Sequence, residues 1–264
     1  MKYNPRPLVP VNPNGLDEIA RSLLEDTITT NEEETKKLEL KANMNPSDYI
    51  QIPGTNVVIA KYQSLNKSNW EESHFKLNEN GLYMPTPNLM TRHLVNVINA
   101  AKGKSTLYDA QGNPILRDEV QELYQYLTKD GHGGGVWTWL DAKFVKVPSG
   151  APGQLELCLE TDYRTITKGR KKELQGKQSS LQSYKEEDCF VGLDFNSQGM
   201  PIKISPNQKY EQGDNIYFYH PRANCVARFW AGSDRADLSC VGGPAVSFAR
   251  LGVLACAEGT QKTS

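Results

Sequence analysis

The stretch Val226–Val253, VARFWAGSDRADLSCVGGPAVSFARLGV, decides how this chain is read. It contains no Lys, Glu, Gln or Met, although the rest of the chain uses all four. Small residues dominate, with Trp230 and Phe248 as large side chains among them. Such a composition leaves backbone and shallow hollows accessible beside aromatic anchors, which suits a recognition surface. Composition alone fits a buried, glycine-rich terminal hairpin equally well. Positions 230, 232 and 234, and then 237, 239 and 241, keep a two-residue period with one slip. In an extended chain each run faces one way, and the residues between point inward and hold the backbone.

Upstream, Tyr49-Ile50-Gln51-Ile52-Pro53 and Val57-Val58-Ile59-Ala60 read as strands joined by the turn residues Gly54, Thr55 and Asn56. Thr86 is a helix N-cap with Pro87 at N1. Leu89, Leu94, Val97 and Ile98 supply the stripe, and Gly103 falls at C′. A second helix is expected from about Leu116 to Lys129, stopping at Gly131. After Gly135 no further helix is expected. Val136–Leu140, Leu155–Leu159 and Ile216–Tyr219 read as strands, and polar, lysine-rich Lys168–Glu187 reads as an exposed loop. Trp137 and Trp139 share one sheet face, where core packing accounts for them.

Near the start, residues 1–15 suggest an extended arm, and Leu16, Ile19, Ala20, Leu23 and Leu24 recur at helical spacing. Charged Asn31–Lys41 reads as a solvated helix or linker. Two helices followed by short antiparallel strands make an α+β fold. The expected organisation is an arm and helix over 1–45, one domain over 46–258, and a flexible tail over 259–264.

Bulk properties exclude several functions. Thirty basic against 31 acidic residues give a formal net charge of −1, which argues against a nucleic-acid partner held by counterion release. No apolar run approaches the roughly 20 residues of a membrane span. The opening residues lack the apolar core of a secretory signal, so a cytoplasmic or virion-associated location is expected over secretion. Cys158, Cys189, Cys225, Cys240 and Cys256 form no CxxC pair and read as reduced packing residues. His74, His93, His132 and His220 are as scattered, so neither metal nor cofactor is expected.

Catalytic motifs fail on context. Gly103-Lys104-Ser105-Thr106 imitates the end of a phosphate-binding loop, but Ile98 stands where the loop needs glycine, and the tetrad closes a helix instead of opening one. His132-Gly133-Gly134-Gly135 resembles an esterase oxyanion loop without any GxSxG elbow. The carboxylate groups Glu71-Glu72, Glu186-Glu187-Asp188 and Asp234 with Asp237 have no accompanying base or nucleophile. No enzymatic activity is expected.

The framework Arg228-Phe229, Ser233, Arg235-Ala236, Leu238, Cys240, Pro244 and Leu251-Gly252-Val253 resembles the variable region of diversity-generating retroelement proteins, in their archaeal branch. Tyr49–Ala60, Leu82–Thr86, Leu107–Ala110, Trp137–Ala142 and Asn215–Phe218 are similar to the same branch. The resemblance spans about residues 46–258, with the variable region at about 226–256. It implies a C-type-lectin-like fold of the formylglycine-generating-enzyme subclass. It implies a ligand-binding protein whose variable residues are rewritten at adenine-containing codons, with a protein as the partner. The implied ligand-binding set is Trp230, Gly232, Asp234, Asp237, Ser239, Val241, Gly242, Gly243, Ala245, Val246, Phe248 and Ala249. All but Trp230 are reachable from an asparagine codon by changing adenines alone. The calcium motifs of sugar-binding lectins are absent from the sequence. The rival reading is a sulfatase-modifying-type oxidoreductase using Cys240 or Cys256 with a bound metal. Nothing in the sequence specifies an oligomeric state.

Overall fold

The structure, a computed structural model, describes residues 38–40, 44–129, 135–149 and 153–261. All belong to the unit Lys36–Ser264, and the expected arm and helix at Leu16–Leu24 lie outside the described residues. Among the described residues the chain forms three helices and two sheets of mainly antiparallel strands, an α+β arrangement.

Helix α1 (Trp70–Glu79) is the one the sequence reading lacks. Its buried stripe, Trp70, Ser73, His74 and Leu77, is half polar, so it carries no apolar periodicity to detect. A capping box nucleates it. Asn69 Oδ1 accepts from the Glu72 N–H at 2.9 Å, and the Glu72 carboxylate accepts from the Asn69 N–H at 3.4 Å. Helix α2 (Pro87–Ala101) follows the expected signals: Thr86 caps Leu89 N–H, and Gly103 ends it at φ +72°. Helix α3 (Arg117–Thr128) turns Val120, Leu123 and Leu127 inward.

The smaller sheet is ordered β1 (Leu38–Leu40), β12 (Cys256–Gln261), β3 (Val57–Ala60), β2 (Tyr49–Gln51). It corrects two expectations. Leu38–Leu40 is a strand within the presumed solvated segment, and β12 takes Gly259–Gln261 out of the presumed tail to pair with it.

The larger sheet is ordered β6 (Lys171–Ser180), β5 (Leu155–Lys168), β4 (Val136–Pro148), β9 (Val226–Ala231), β10 (Ala236–Gly242), β8 (Asn215–Tyr219), β7 (Cys189–Gly192). Short β11 (Leu251–Gly252) runs parallel to β4 beside Trp137 and Thr138, and β10 runs parallel to β8. The expected loop over Lys168–Glu187 is corrected here: half of it is strand β6, paired with β5 from Lys168↔Lys171 to Cys158↔Ser180. Both faces of β6 are largely solvated, so that strand shows no apolar alternation. β4 and β5, at 13 and 14 residues, are also longer than the short strands expected.

One face of the larger sheet packs against α2 and α3. Met90, Leu94, Val97, Leu123 and Leu127 meet Leu140, Phe144, Phe218, Phe229 and Leu238 in the main core. Each such side chain contributes about 2 kcal/mol by leaving water. On the other face a second cluster joins Trp70 and Leu77 of α1 to Trp139, Tyr163, Val226, Leu251 and Val253. Trp70 Nε1 donates to the Leu140 carbonyl at 2.9 Å, fixing α1 over β4. Beneath Trp70, His74 Nε2 lies 3.6 Å from Asp141 Oδ1, both side chains inaccessible. Burial pushes His74 down to about 3 and Asp141 up to about 8, so both are neutral near pH 7. No helix among the described residues is long and apolar enough to cross a membrane.

Candidate functional site

β9 and β10 are antiparallel neighbours that set Trp230 opposite Asp237 and Arg228 opposite Ser239. On one side β4 places Trp137 opposite Trp230 and Trp139 opposite Arg228. On the other, β8 places Tyr217 beside Asp237 and Tyr219 beside Ser239, and Phe190 of β7 pairs with Tyr217. Directly opposed residues share a face, so these pairings build two parallel rows. The first runs Trp137, Trp230, Asp237, Tyr217, Phe190, and the second Trp139, Arg228, Ser239, Tyr219. Intervening residues Phe229, Ala231, Ala236, Leu238 and Cys240 go into the main core and hold the rows in register.

The rows pack as an aromatic–arginine surface. The Trp137 and Trp230 rings lie 5.3 Å apart, and Phe248 meets Trp137 edge-on at 5.3 Å. Tyr217 contacts Phe190 and Tyr219, each at 4.9 Å. Arg228 stacks 4.7 Å above Trp137. Arg235 reaches over Tyr217 at 5.1 Å, Trp230 at 5.7 Å and Tyr219 at 5.8 Å, and donates to Tyr219 Oη at 2.9 Å. Each cation–π contact is worth about 0.5–2 kcal/mol, rising as water is excluded.

Asp237 and Ser239 form the floor of this surface, 3% and 2% exposed, while Trp137, Arg228, Trp230, Arg235, Tyr217 and Tyr219 around them are half-buried. Four buried polar atoms here have no hydrogen-bond partner: Arg228 Nε, Arg235 Nε, Asp237 Oδ1 and Ser239 Oγ. The contact between Arg235 Nε and Asp237 Oδ2, at 3.7 Å, is an ion pair too long for a hydrogen bond. Burial raises Asp237 to about 7 even though Arg235 and Arg228 pull it down, and burial lowers the Arg228 guanidinium.

The other implied binding positions are distributed as follows. Gly232 lies against the Trp230 ring at the start of the β9–β10 turn, and Asp234 is exposed within it. Val241 is half-buried near the irregularity at the end of β10, and Gly242 is buried against Val226 and Trp139. Gly243, Ala245, Val246 and Ala249 lie in the β10–β11 connection, the last three exposed. The face therefore brings together Trp230, Asp237, Ser239 and Phe248, with Gly232 at its rim. Asp234 and the connection residues lie on the neighbouring loops.

Two expectations about direction are corrected. Arg228 and Arg235, read as inward framework, lie on the outer face with Trp230. Trp139 is core, its Nε1 donating to the Ser68 carbonyl at 3.1 Å, whereas Trp137 is a half-buried member of the site. Strand parity alone points to Arg228, two residues before Trp230. Tyr217, Tyr219 and Phe190 required the strand order, which no local pattern carries.

The thiols of Cys240 and Cys256 are fully buried in the main core, where burial pushes both well above the ordinary range. Neither offers the accessible thiolate that oxidoreductase chemistry needs. All five cysteines are free. Among the described residues no group of three or more His, Cys, Asp or Glu side chains stands close enough to hold a metal. Lys104 and Ser105 follow the end of α2, so their loop opens no helix, and His132–Gly134 lies outside the described residues. A separate cleft of about 200 Å³ beside Tyr83, Arg164 and Glu258 contains none of the implied positions. Comparison with protein families, with curated proteins and with solved structures finds no match for this chain.

Proposed function

We propose that this protein is a non-enzymatic recognition protein of the retroelement-diversified kind, binding a protein partner through the outer face of β9, β10 and β8 on a C-type-lectin-like scaffold. The observation that supports this most is the division of labour along β9 and β10. Phe229, Ala231, Ala236, Leu238 and Cys240 fill the core, while Trp230, Asp237 and Ser239 face outward between them. Outward residues can change without disturbing the apolar packing, and a preorganised sheet spares the partner the entropy of ordering a loop. Half-buried Trp, Tyr and Arg are also the residue types that dominate binding energy at protein interfaces.

Sequencing this locus across many cells of one population tests the reading. Substitutions should concentrate at Gly232–Ala249 while Phe229, Leu238 and Gly252 stay fixed. A uniform sequence, with no near-repeat of these codons and no neighbouring reverse transcriptase, would remove it.

A further inference from the structure

We infer that the group this face takes from its partner is a carboxylate, an Asp or Glu side chain of the partner protein seated against the guanidinium of Arg228. The inference rests on the recognition reading above and names the chemistry of that same surface.

Arg228 lies over the Trp137 ring, its Cζ 4.7 Å from the ring centroid, on the outer face of the sheet. Its side chain makes no hydrogen bond or ion pair with any described residue, and its Nε is buried without an acceptor. A donor N–H removed from water, as Arg228 Nε is, loses its hydration and ordinarily takes an acceptor in exchange. Asp237 does not fill that role. It lies more than 4.0 Å away by the absence of an ion pair, and its Oδ2 is turned to Arg235 at 3.7 Å.

The charge count points the same way. Of the two arginines that face the buried Asp237 carboxylate, Arg235 makes the ion pair and Arg228 makes none. Ser239, directly opposite Arg228 on β10, has a buried hydroxyl without a partner. An incoming carboxylate can accept from the planar fork of Arg228 with one or both oxygens and from Ser239 Oγ with a remaining lone pair. The walls of Trp137, Trp230 and Tyr219 accommodate apolar neighbours of that residue and exclude water from the pair.

Panning a displayed library of random peptides on the full-length protein tests this, followed by calorimetry on the peptides it selects. Their sequences should share an acidic residue. Replacing that residue by its amide in the peptide, a change that leaves the protein untouched, should weaken binding tenfold or more. Arg228→Gln should do the same, the two changes together should cost little beyond either alone, and Arg228→Lys should restore binding only in part. Peptides that lose binding on Trp230→Ala but carry no shared acidic residue, or ignore Arg228→Gln, would overturn the carboxylate inference and leave the recognition surface standing. A library that yields no binder, or binders indifferent to Trp230→Ala, would count against the surface itself and the inference with it.

Discussion

The indole of Trp230 occupies the space that a side chain at Gly232 would need. A Cβ there would come within 2.8 Å of Trp230 Cε2 and 2.9 Å of Cη2. The two positions therefore form one unit, and a residue with a side chain at 232 requires a different placement at 230. Gly232→Ala is expected to swing the half-buried ring away from Trp137, because the obstructing atoms belong to a side chain that can rotate. Near-ultraviolet circular dichroism should change, with a stability loss of about 1 kcal/mol or less. Gly242→Ala meets the Val226 carbonyl oxygen at 2.9 Å and Trp139 Cζ3 at 3.3 Å, and neither can step aside. It should cost about 1–3 kcal/mol in thermal unfolding. The reverse order of severity would mean that these glycines are packed differently.

Asp237 gives the face a pH dependence of stability. Its folded pKa, raised by burial to about 7, lies above its value in the unfolded chain, so between about pH 4 and 7 the folded state holds the extra proton. The stability linked to that proton is full below pH 4 and lost as the pH climbs through 7. Asp237→Asn carries no such loss. Its stability relative to the parent should rise by about 2–3 kcal/mol between pH 5 and pH 8, read from melting curves at both values.

Four buried groups together shape the wider profile. His74 and His93, pushed down by burial to about 3 and about 4, withdraw stability as the pH falls below 6.5. Asp141 and Asp237, pushed up to about 8 and about 7, withdraw it as the pH rises above 4. Between pH 4 and 6.5 the two pairs oppose each other and these contributions stay nearly flat. Above 6.5 only the aspartates titrate, and stability should fall until about pH 8. Asp141→Asn keeps an acceptor for the Tyr163 N–H now bound at 3.2 Å and should remove about 2 kcal/mol of that decline between pH 6.5 and 9. An unchanged alkaline slope would show that Asp141 is ionised in the folded protein.

Legibility in the sequence followed the physics of each element. Helices α2 and α3 were readable because an apolar stripe and an end signal coincide in each. Helix α1 was not, because it buries Ser73 and His74 where an apolar stripe would put leucines, and its start rests on one pair, Asn69 and Glu72. Asn69→Ala should accordingly cost about 1 kcal/mol, measured by denaturant unfolding. Leu155–Leu159 was readable as the start of β5, but β6 was invisible because main-chain pairing, not burial, defines it. At the site, the two-residue period located Trp230, Asp237 and Ser239. The same parity rule would have placed Arg228 beside them, had its charge and framework position not suggested otherwise. Tyr217 and Tyr219 come from a strand that is not β10's neighbour in sequence, and only the parallel pairing of β8 with β10 brings them in.

Trp137 and Trp139 offer the sharpest separation of site from core, since they share one face of one strand and differ in what they touch. Trp137 supports Arg228 at 4.7 Å, Trp230 at 5.3 Å and Phe248 at 5.3 Å, all on the outer surface. Trp139 is sealed at 0% exposure and anchors the Ser68 carbonyl at 3.1 Å. Trp139→Phe leaves that buried carbonyl without its donor and should cost about 1–3 kcal/mol of stability. Peptide affinity at the face should hold, because Arg228 keeps its platform. Trp137→Leu removes the platform itself. Its stability cost should be similar, about 1–3 kcal/mol, through the lost ring contacts. Its distinctive effect should be on recognition: affinity for the selected acidic peptides should fall about tenfold, because the guanidinium is no longer held in plane. Equal loss of affinity in both variants, measured by calorimetry at a temperature where each is folded, would mean that Trp139 also supports binding, and that the boundary of the site lies two residues deeper along β4.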